Sequence, residues 1–221
     1  MLYEQFLWYL EKEDKPGAVT LALGALKNGE VDIVNLYTEV LIPALNEMNY
    51  GKKDESLYIW KEHFRTSVVR TIIECCYPQV IMEGQKKSVK MGRKKVLIFC
   101  PSEEYHDLGA RMMADFFSLC GHSIFYIGGN TPAAALLYAM EHLKPEVIAM
   151  GVSNYFNLVA AKKTIEEVRN TMGNEVSIIL GGSAFKDNLS VAKEIGANFC
   201  VSIYDEVVAI TEGWEKNEIS I

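Results

Sequence analysis

The sequence has 221 residues and a formal net charge of −7, and about half of its residues are hydrophobic. This length allows one large domain or two small ones, and the acidic balance argues against nucleic acid as a direct partner. No apolar run reaches the roughly 18–20 residues needed to span a bilayer, and the first residues lack the basic region and cleavage site of a signal peptide. Five scattered cysteines without a CxxC pattern are typical of reduced thiols. We therefore expect a cytoplasmic protein without membrane contact.

Residues 1–82 show only the periodicity of helices. Apolar positions recur on one face of four segments, which are residues 2–11, 18–28, 31–49 and 55–76. Pro43 predicts a bend or break in the third segment. Four helices in about 80 residues predict a small helical bundle as a first domain.

Residues 83–94 are polar and basic and contain two glycines, a composition typical of a linker. The alternative is a basic arm that binds nucleic acid, which we disfavour because such charge runs are usually solvated. We therefore predict a linker between the helical bundle and a second domain that covers residues 95–221.

Strand and helix patterns alternate in the second domain. Nearly continuous apolar runs predict parallel strands that are covered on both faces, at residues 95–100, 123–128, 146–152, 176–181 and 198–202. Helical patterns follow each run, at about residues 107–120, 132–143, 157–172, 188–195 and 204–214. The fold class is therefore α/β, with a doubly wound five-stranded sheet that is either Rossmann-like or flavodoxin-like.

Ligands of such folds bind at the carboxyl ends of the strands, where the strand order reverses. With the order 2-1-3-4-5, this crevice lies between the loops at 101–107 and 153–157, beside the loop at 181–185. His106 lies in the first of these loops, and Glu104 projects the same way in an extended chain. The carboxylate can then accept a hydrogen bond from one ring nitrogen and leave the other for a metal or a proton.

Neighbouring residues add to this pattern. Asp107 is predicted to cap the following helix, and Gly109 leaves room for a bulky ligand. The Gly181-Gly182 pair predicts either a ligand close to the backbone or a tight strand-to-loop turn. No G-x-G-x-x-G follows the first strand, which disfavours a dinucleotide. One histidine and one carboxylate are too few ligands for a protein-built metal site, so a metal at His106 requires a cofactor that supplies the other ligands.

Together these residues resemble the cobalamin-binding domain family, whose motif is D-x-H-x-x-G, S-x-L and G-G after strands one, three and four. The chain has Glu104-Tyr105-His106-Asp107-Leu108-Gly109, then Ser153-Asn154-Tyr155, then Gly181-Gly182. Glu104 replaces the Asp of the family, and Tyr155 replaces the Leu. The helical half resembles the four-helix cap that precedes the corrinoid domain in methionine synthase and related proteins.

The resemblance implies cobalamin bound base-off/His-on, with His106 as the lower axial ligand of cobalt in place of the dimethylbenzimidazole base of the cofactor. Glu104 would hold the imidazole, and Ser153 would extend that relay. The corrin ring would lie on the carboxyl end of the sheet under the helical cap. The nucleotide tail would occupy a pocket lined by Gly109, Ser153, Gly181, Gly182 and Ser183.

Three subclasses of cobalamin protein remain open: sensor modules of regulators, corrinoid methyl carriers and mutase subunits. The stretch from Glu104 to Gly109 is similar to the Glu-x-His-[Asp/Glu]-Leu-Gly of sensors, whereas carriers more often continue Asp-Ile-Gly-Lys-Asn. Glu62-His63 resembles a Glu-His pair in the sensor cap, whose histidine can approach the upper face of cobalt. The shielding tryptophan of light sensors corresponds to Lys52 here. Trp60 shares a helix face with His63, which makes it a candidate for a shielding role, with core packing as the alternative. For His63, the alternative to a role at cobalt is that of a surface or helix-packing residue.

We therefore predict a cobalamin-dependent, light-responsive or cobalamin-responsive regulatory module that carries adenosylcobalamin or methylcobalamin. We expect no DNA-binding domain ahead of the cap and no catalysis by the chain alone, so that it acts through a partner protein or as a homo-oligomer. The alternatives are a corrinoid methyl carrier that serves partner methyltransferases and an α/β binding domain that no longer holds cobalamin.

Overall fold

A computed structural model describes residues 1–47, 55–88, 93–186 and 189–215. The chain divides into two compact units, Met1–Val80 and Ile81–Ile221. Within the described ranges, no helix is both long enough and apolar enough to cross a membrane.

The first unit is helical. Its elements are α1 (Leu2–Glu11), α2 (Lys15–Lys27), α3 (Ile33–Asn35), a π-helix (Leu36–Leu41), α4 (Ile42–Asn46) and the first part of α5 (Glu55–Ser88). Asp14 caps α2 by accepting a hydrogen bond from the Gly17 amide at 2.9 Å. Pro43 lies in α4, which continues directly from the π-helix, so the helical path extends past it. The core of this unit contains Phe6, Leu36, Tyr37, Leu41, Val68 and Ile72.

Helix α5 extends farther than its sequence pattern predicts. It continues past residue 76, through Pro78, to Ser88, so residues 83–88 of the predicted linker are helical. Within this extension, a Cβ atom at Gly84 would lie 2.0 Å from the carbonyl oxygen of Ser118. The missing side chain lets two backbones approach closely, a role that the polar composition of the segment conceals.

The second unit contains a five-stranded parallel sheet with the order β2-β1-β3-β4-β5. This order confirms the expected α/β class and selects the flavodoxin-like alternative. The strands are β1 (Lys95–Pro101), β2 (Ser123–Thr131), β3 (Val147–Gly151), β4 (Ser177–Gly181) and β5 (Phe199–Val201). The helices are α6 (Leu108–Leu119), α7 (Ala133–Leu143), α8 (Leu158–Met172), α9 (Ser190–Glu194) and α10 (Tyr204–Glu215). The central strands are buried on both faces, as their apolar runs predict.

The amino-terminal edge of this sheet contains a buried histidine. His122 directly precedes β2, is 5% exposed and packs against the rings of Phe117 and Trp214. Its Nδ1 accepts a hydrogen bond of 3.4 Å from the Lys94 amide, and its Nε2 has no hydrogen-bond partner among the described residues. Burial, followed by the charge of Lys94, lowers the pKa of His122 to about 4, although Glu146 acts in the opposite direction.

Candidate functional site

The carboxyl edge of the sheet is organised around Glu104, in the loop after β1. This side chain is fully buried, and its two oxygens accept five N–H hydrogen bonds from the described residues. Oε1 accepts from the His106 amide at 3.0 Å and from His106 Nδ1 at 2.8 Å. Oε2 accepts from the backbone amides of Ser153 and Asn154, both at 2.9 Å, and from Asn157 Nδ2 at 3.1 Å. One carboxylate therefore joins the loops that follow β1 and β3.

These hydrogen bonds decide the charge of Glu104. Burial by itself raises its pKa, but the donors from Asn154, Asn157 and His106 together outweigh burial and lower the pKa. The group is therefore a carboxylate at neutral pH, and it can only accept hydrogen bonds. In a neutral His106 ring, Nδ1 then carries the hydrogen and Nε2 presents its lone pair.

The His106 side chain is 60% exposed. In the part of the chain that the structure describes, no group makes a hydrogen bond to Nε2. The ring is thus fixed at one nitrogen and open at the other, which is the arrangement expected of a single metal ligand.

A second set of contacts shapes the loop from the side of β2. Asn130 adopts a φ of 48° and Glu103 a φ of 65°, in a region that asparagine tolerates better than most residues. The Glu103 amide donates to Asn130 Oδ1 at 2.9 Å, and the Asn130 amide donates to the Glu104 carbonyl at 2.8 Å. The loop is therefore tied to both strands that flank β1.

The predicted capping role of Asp107 is wrong. Its side chain makes no cap hydrogen bond to α6, and its backbone is already close to helical, at φ −96° and ψ −8°. A capping side chain needs an extended backbone at this position to reach the first amides of the helix. Instead, Asp107 Oδ2 accepts a hydrogen bond from the Tyr126 hydroxyl at 2.9 Å.

The glycines of the motif fall into two groups. A Cβ atom at Gly109 would meet no atom within 4 Å, so this position is open, as the sequence predicts. At Gly181 a Cβ would lie 2.7 Å from the Val201 carbonyl oxygen, and at Gly182 it would lie 2.3 Å from that of Val152. Gly182 also has a φ of 113°. The pair therefore makes the tight turn after β4, because backbone of the chain itself occupies the space of the missing side chains.

The β3 loop contacts Glu104 through backbone amides and Asn157, and not through the Ser153 hydroxyl that the predicted relay would use. Ser153 donates its backbone amide to the carboxylate, whereas its hydroxyl lies 3.5 Å from the His106 carbonyl. The side chain that reaches Glu104 belongs to Asn157, which also donates to the Glu103 carbonyl at 3.2 Å. Sequence reasoning did not single out Asn157, although a polar residue directly before α8 was a usable signal. Ser183 joins the arrangement by donating its hydroxyl to the Ser153 carbonyl at 2.9 Å.

Aromatic side chains lie exposed beside these polar contacts. Tyr105 is 66% exposed and Tyr155 is 68% exposed, the latter in a short 3₁₀ turn that the Asn154 side chain caps. The substitution of Tyr155 for the leucine of the motif therefore places a ring on the surface of the β3 loop.

The residues predicted for the upper face lie on α5 in the first unit. Trp60 is 45% exposed, so its alternative role as a core residue is wrong. His63 is exposed and Glu62 is half-buried. Lys52, at the position of the shielding tryptophan, lies outside the described residues. A role of Trp60, Glu62 and His63 toward the cofactor remains a prediction.

The described residues contain no cluster of three or more His, Cys, Asp or Glu side chains that could hold a metal ion. Cys100 lies buried at the end of β1, and burial, followed by the charges of Asp107 and Glu104, raises the pKa of its thiol to about 12. It therefore supplies no thiolate. This donor set fits a metal whose other ligands come from a cofactor, with His106 as a single axial ligand and the open Gly109 position beside it.

Comparison with known proteins agrees with this fit. Residues 94–210, more than half of the chain, match the family described as B12 binding domain. The chain is 23% identical over 200 residues to the HTH-type transcriptional repressor CarA of Myxococcus xanthus, a match that covers 86% of the chain and 65% of CarA. The chain thus spans slightly less than two thirds of the length of this relative.

Solved structures share the fold. A monomethylamine corrinoid protein of Methanosarcina barkeri superposes with a TM-score of 0.77 at 16% identity, over 95% of this chain and 96% of its own. A cobalamin-binding protein of Desulfitobacterium hafniense DCB-2 gives a TM-score of 0.50 at 15% identity, over 97% of this chain and 98% of its own. At such identities the likeness concerns the fold alone, and it agrees with a helical region followed by an α/β unit.

Proposed function

Because the chain belongs to the B12-binding domain family and therefore binds cobalamin, we propose that it holds the cofactor base-off/His-on, with His106 as the lower axial ligand of cobalt. The observation that carries this proposal is the Glu104–His106 pair. A buried carboxylate holds Nδ1 at 2.8 Å while Nε2 stays accessible on a side chain that is 60% exposed. When bound, the cofactor supplies the cobalt–carbon chemistry.

The protein contributes the orientation of the ligand and space for the cofactor. Glu104 fixes the imidazole in one tautomer, and three donors from the β3 loop keep that carboxylate in place. The longer side chain of glutamate therefore still reaches the imidazole, as the aspartate of the family motif would. Gly109 leaves open space next to the ligand, and we assign it, with Ser153, Gly181, Gly182 and Ser183, to the path of the nucleotide tail.

A single substitution tests the axial ligand. Protein labelled with 15N-histidine and loaded with cob(II)alamin should show an electron paramagnetic resonance signal whose lines are split into doublets by one axial 15N nucleus, whereas the 14N of the dimethylbenzimidazole base would give triplets, and His106→Ala should lose the doublets. His142→Ala is the matched control, because His142 is also exposed but lies in the last turn of α7. A doublet splitting that survives in His106→Ala, or triplets in the labelled wild type, would contradict the assignment.

For the biological role, we propose a cobalamin-dependent regulatory module that acts through a partner protein or through self-association. Its support is the Glu-x-His-Asp-Leu-Gly stretch and the 23% identity to a transcriptional repressor across 86% of the chain. The alternative is a corrinoid methyl carrier that serves a methyltransferase, for which the likeness to known proteins is one of fold.

Exposure to light distinguishes the regulatory role from the methyl-carrier role. The protein is loaded with adenosylcobalamin in the dark and then illuminated, while its visible spectrum and its oligomeric state are measured. A light-responsive regulator should change both. No spectral change, combined with methylation of the bound cofactor by a partner methyltransferase, would contradict the regulatory role and support the carrier.

A further inference from the structure

We propose that Tyr126, on the edge strand β2, is a positioning residue for His106 that acts through Asp107. The proposal rests on the proposed role of His106 as the axial ligand. It assigns a function to a side chain that lies twenty residues beyond the ligand in sequence and belongs to no part of the cobalamin-binding motif.

The Tyr126 hydroxyl contacts Asp107 directly, at both a carboxylate oxygen and the carbonyl oxygen. The Tyr126 hydroxyl lies 2.9 Å from Asp107 Oδ2 and 3.3 Å from the Asp107 carbonyl oxygen. Asp107 directly follows His106 and directly precedes α6. The carboxylate does not cap that helix, and its hydrogen bond with Tyr126 connects the His106 loop to strand β2.

His106, the proposed axial ligand, therefore lies between two residues that are both held in place. On one side, Glu104 is held by three donors from the β3 loop. On the other side, Asp107 is held by Tyr126. Because both the backbone direction and the ring angle of His106 depend on these two neighbours, loss of either should widen the range of orientations in which Nε2 is presented.

Strand β2 is shaped to bring Tyr126 to this place. Tyr126 pairs with Ile98, but the next partner of β1, Phe99, pairs with Gly128, so Ile127 is an extra residue in the ladder. Such bulges redirect the side chains next to them. Beyond the bulge, a Cβ at Gly129 would lie 3.1 Å from the Glu104 carbonyl oxygen and 3.3 Å from the Asp107 Cβ, so β2 packs tightly against the loop.

The ring of Tyr126 is itself supported from α6. The guanidinium carbon of Arg111 lies 5.9 Å from the ring centre, within the range of a cation–π contact. Arg111 is buried and pairs with the buried Asp115 at 2.5 Å. The hydroxyl is therefore presented by a ring with little freedom, which suits a positioning role.

Tyr126→Phe tests the proposal because it removes one oxygen and keeps the ring. With cob(II)alamin, the fraction of the resonance signal that is split by the axial nitrogen should fall. The Kd for aquocobalamin should rise by up to about tenfold, because binding must then restrict a His106 ring that the wild-type loop already holds in place. Tyr138→Phe, at a position that is 76% exposed on α7, should leave both values unchanged.

A double-mutant cycle tests whether Tyr126 acts through Asp107. Tyr126→Phe should cause a smaller loss of affinity in an Asp107→Ala background than in the wild type, because the hydrogen bond to the carboxylate is already absent and only the longer contact with the residue 107 carbonyl oxygen remains. Additive losses would overturn the proposal, as would a Tyr126→Phe protein with the Kd and the splitting of the wild type. A wild-type signal without nitrogen splitting would instead contradict the axial role of His106 and thus the proposed function itself.

Discussion

The two edges of the sheet treat a buried polar group in opposite ways. At the carboxyl edge, Glu104 is fully buried, and five N–H donors surround its carboxylate. At the amino edge, His122 is almost as buried, but a single amide at 3.4 Å serves one ring nitrogen, and the other has no partner among the described residues.

The difference shows that burial alone does not set the charge of a group. The donors around Glu104 overcome its desolvation and keep it ionised, whereas His122 lacks such compensation and is held neutral. The carboxyl edge therefore holds a buried charge next to the exposed His106, an arrangement suited to a ligand, whereas the amino edge buries a neutral ring.

The largest loss of stability should follow from blocking the close backbone contact between α5 and α6. Gly84→Ala places a Cβ 2.0 Å from the Ser118 carbonyl oxygen, which a rigid pair of helices cannot absorb. We expect a loss of about 4 kcal/mol in the free energy of unfolding, measured by urea denaturation. Gly24→Ala, in α2 with no atom within 4 Å of its added Cβ, is the control and should stabilise the protein slightly. A Gly84→Ala protein of wild-type stability would show that this contact is not close.

Removal of the charge at Glu104 should have the next largest effect. Glu104→Gln keeps the shape but replaces one acceptor oxygen with an N–H donor that faces other donors. We expect a loss of about 3 kcal/mol in unfolding free energy, together with a Kd for cobalamin at least about tenfold higher. Denaturation and spectroscopic titration measure the two effects.

The control is Glu103→Gln, because Glu103 is the exposed neighbour of Glu104 in the same loop. Unchanged stability in Glu104→Gln would mean that the five hydrogen bonds do not need a carboxylate, and the contrast between the two edges would disappear.

Low pH should lower the stability of the protein through protonation of His122 at the amino edge. Its folded pKa of about 4 lies below the unfolded value near 6.5, so the unfolded chain binds a proton first as the pH falls. The resulting contribution to stability is complete above pH 6.5 and should be lost between pH 6.5 and 4, with a total of about 3 kcal/mol. Lys94 favours the neutral ring and Glu146 opposes it.

His122→Phe provides the comparison for this pH dependence. The variant should lose stability less steeply than the wild type between pH 6.5 and 4, as measured by thermal unfolding at a series of pH values. Parallel curves for the two proteins would show that His122 titrates normally in the folded state.

The smallest effect on folding should come from the open position at the carboxyl edge. Gly109→Ala meets no atom within 4 Å and favours the helix, so the cofactor-free protein should gain up to about 1 kcal/mol in stability. Cobalamin binding should nevertheless weaken, because the methyl group enters space assigned to the nucleotide tail. Differential scanning calorimetry and spectroscopic titration give the two values, and unchanged affinity would remove Gly109 from the binding surface.

Local patterns predicted much of this site. Apolar runs indicated the buried parallel strands, and the spacing of Glu104 and His106 indicated their hydrogen bond, because both depend on residues that are near each other in sequence. Asn157 and Tyr126 were not identified. Each reaches the His106 loop from another strand or loop, and nothing in its own neighbourhood marks the contact.

The sequence by itself determined the alternation of strands and helices, the family motif and the pairing of Glu104 with the exposed His106, since these follow from periodicity and from residues a few positions apart. The tertiary structure decided three further points: that α5 continues to Ser88, that Asp107 turns to Tyr126 instead of capping α6, and that Glu104 stays ionised. These depend on distant backbone and side-chain groups that only the folded chain brings within hydrogen-bond or van der Waals distance.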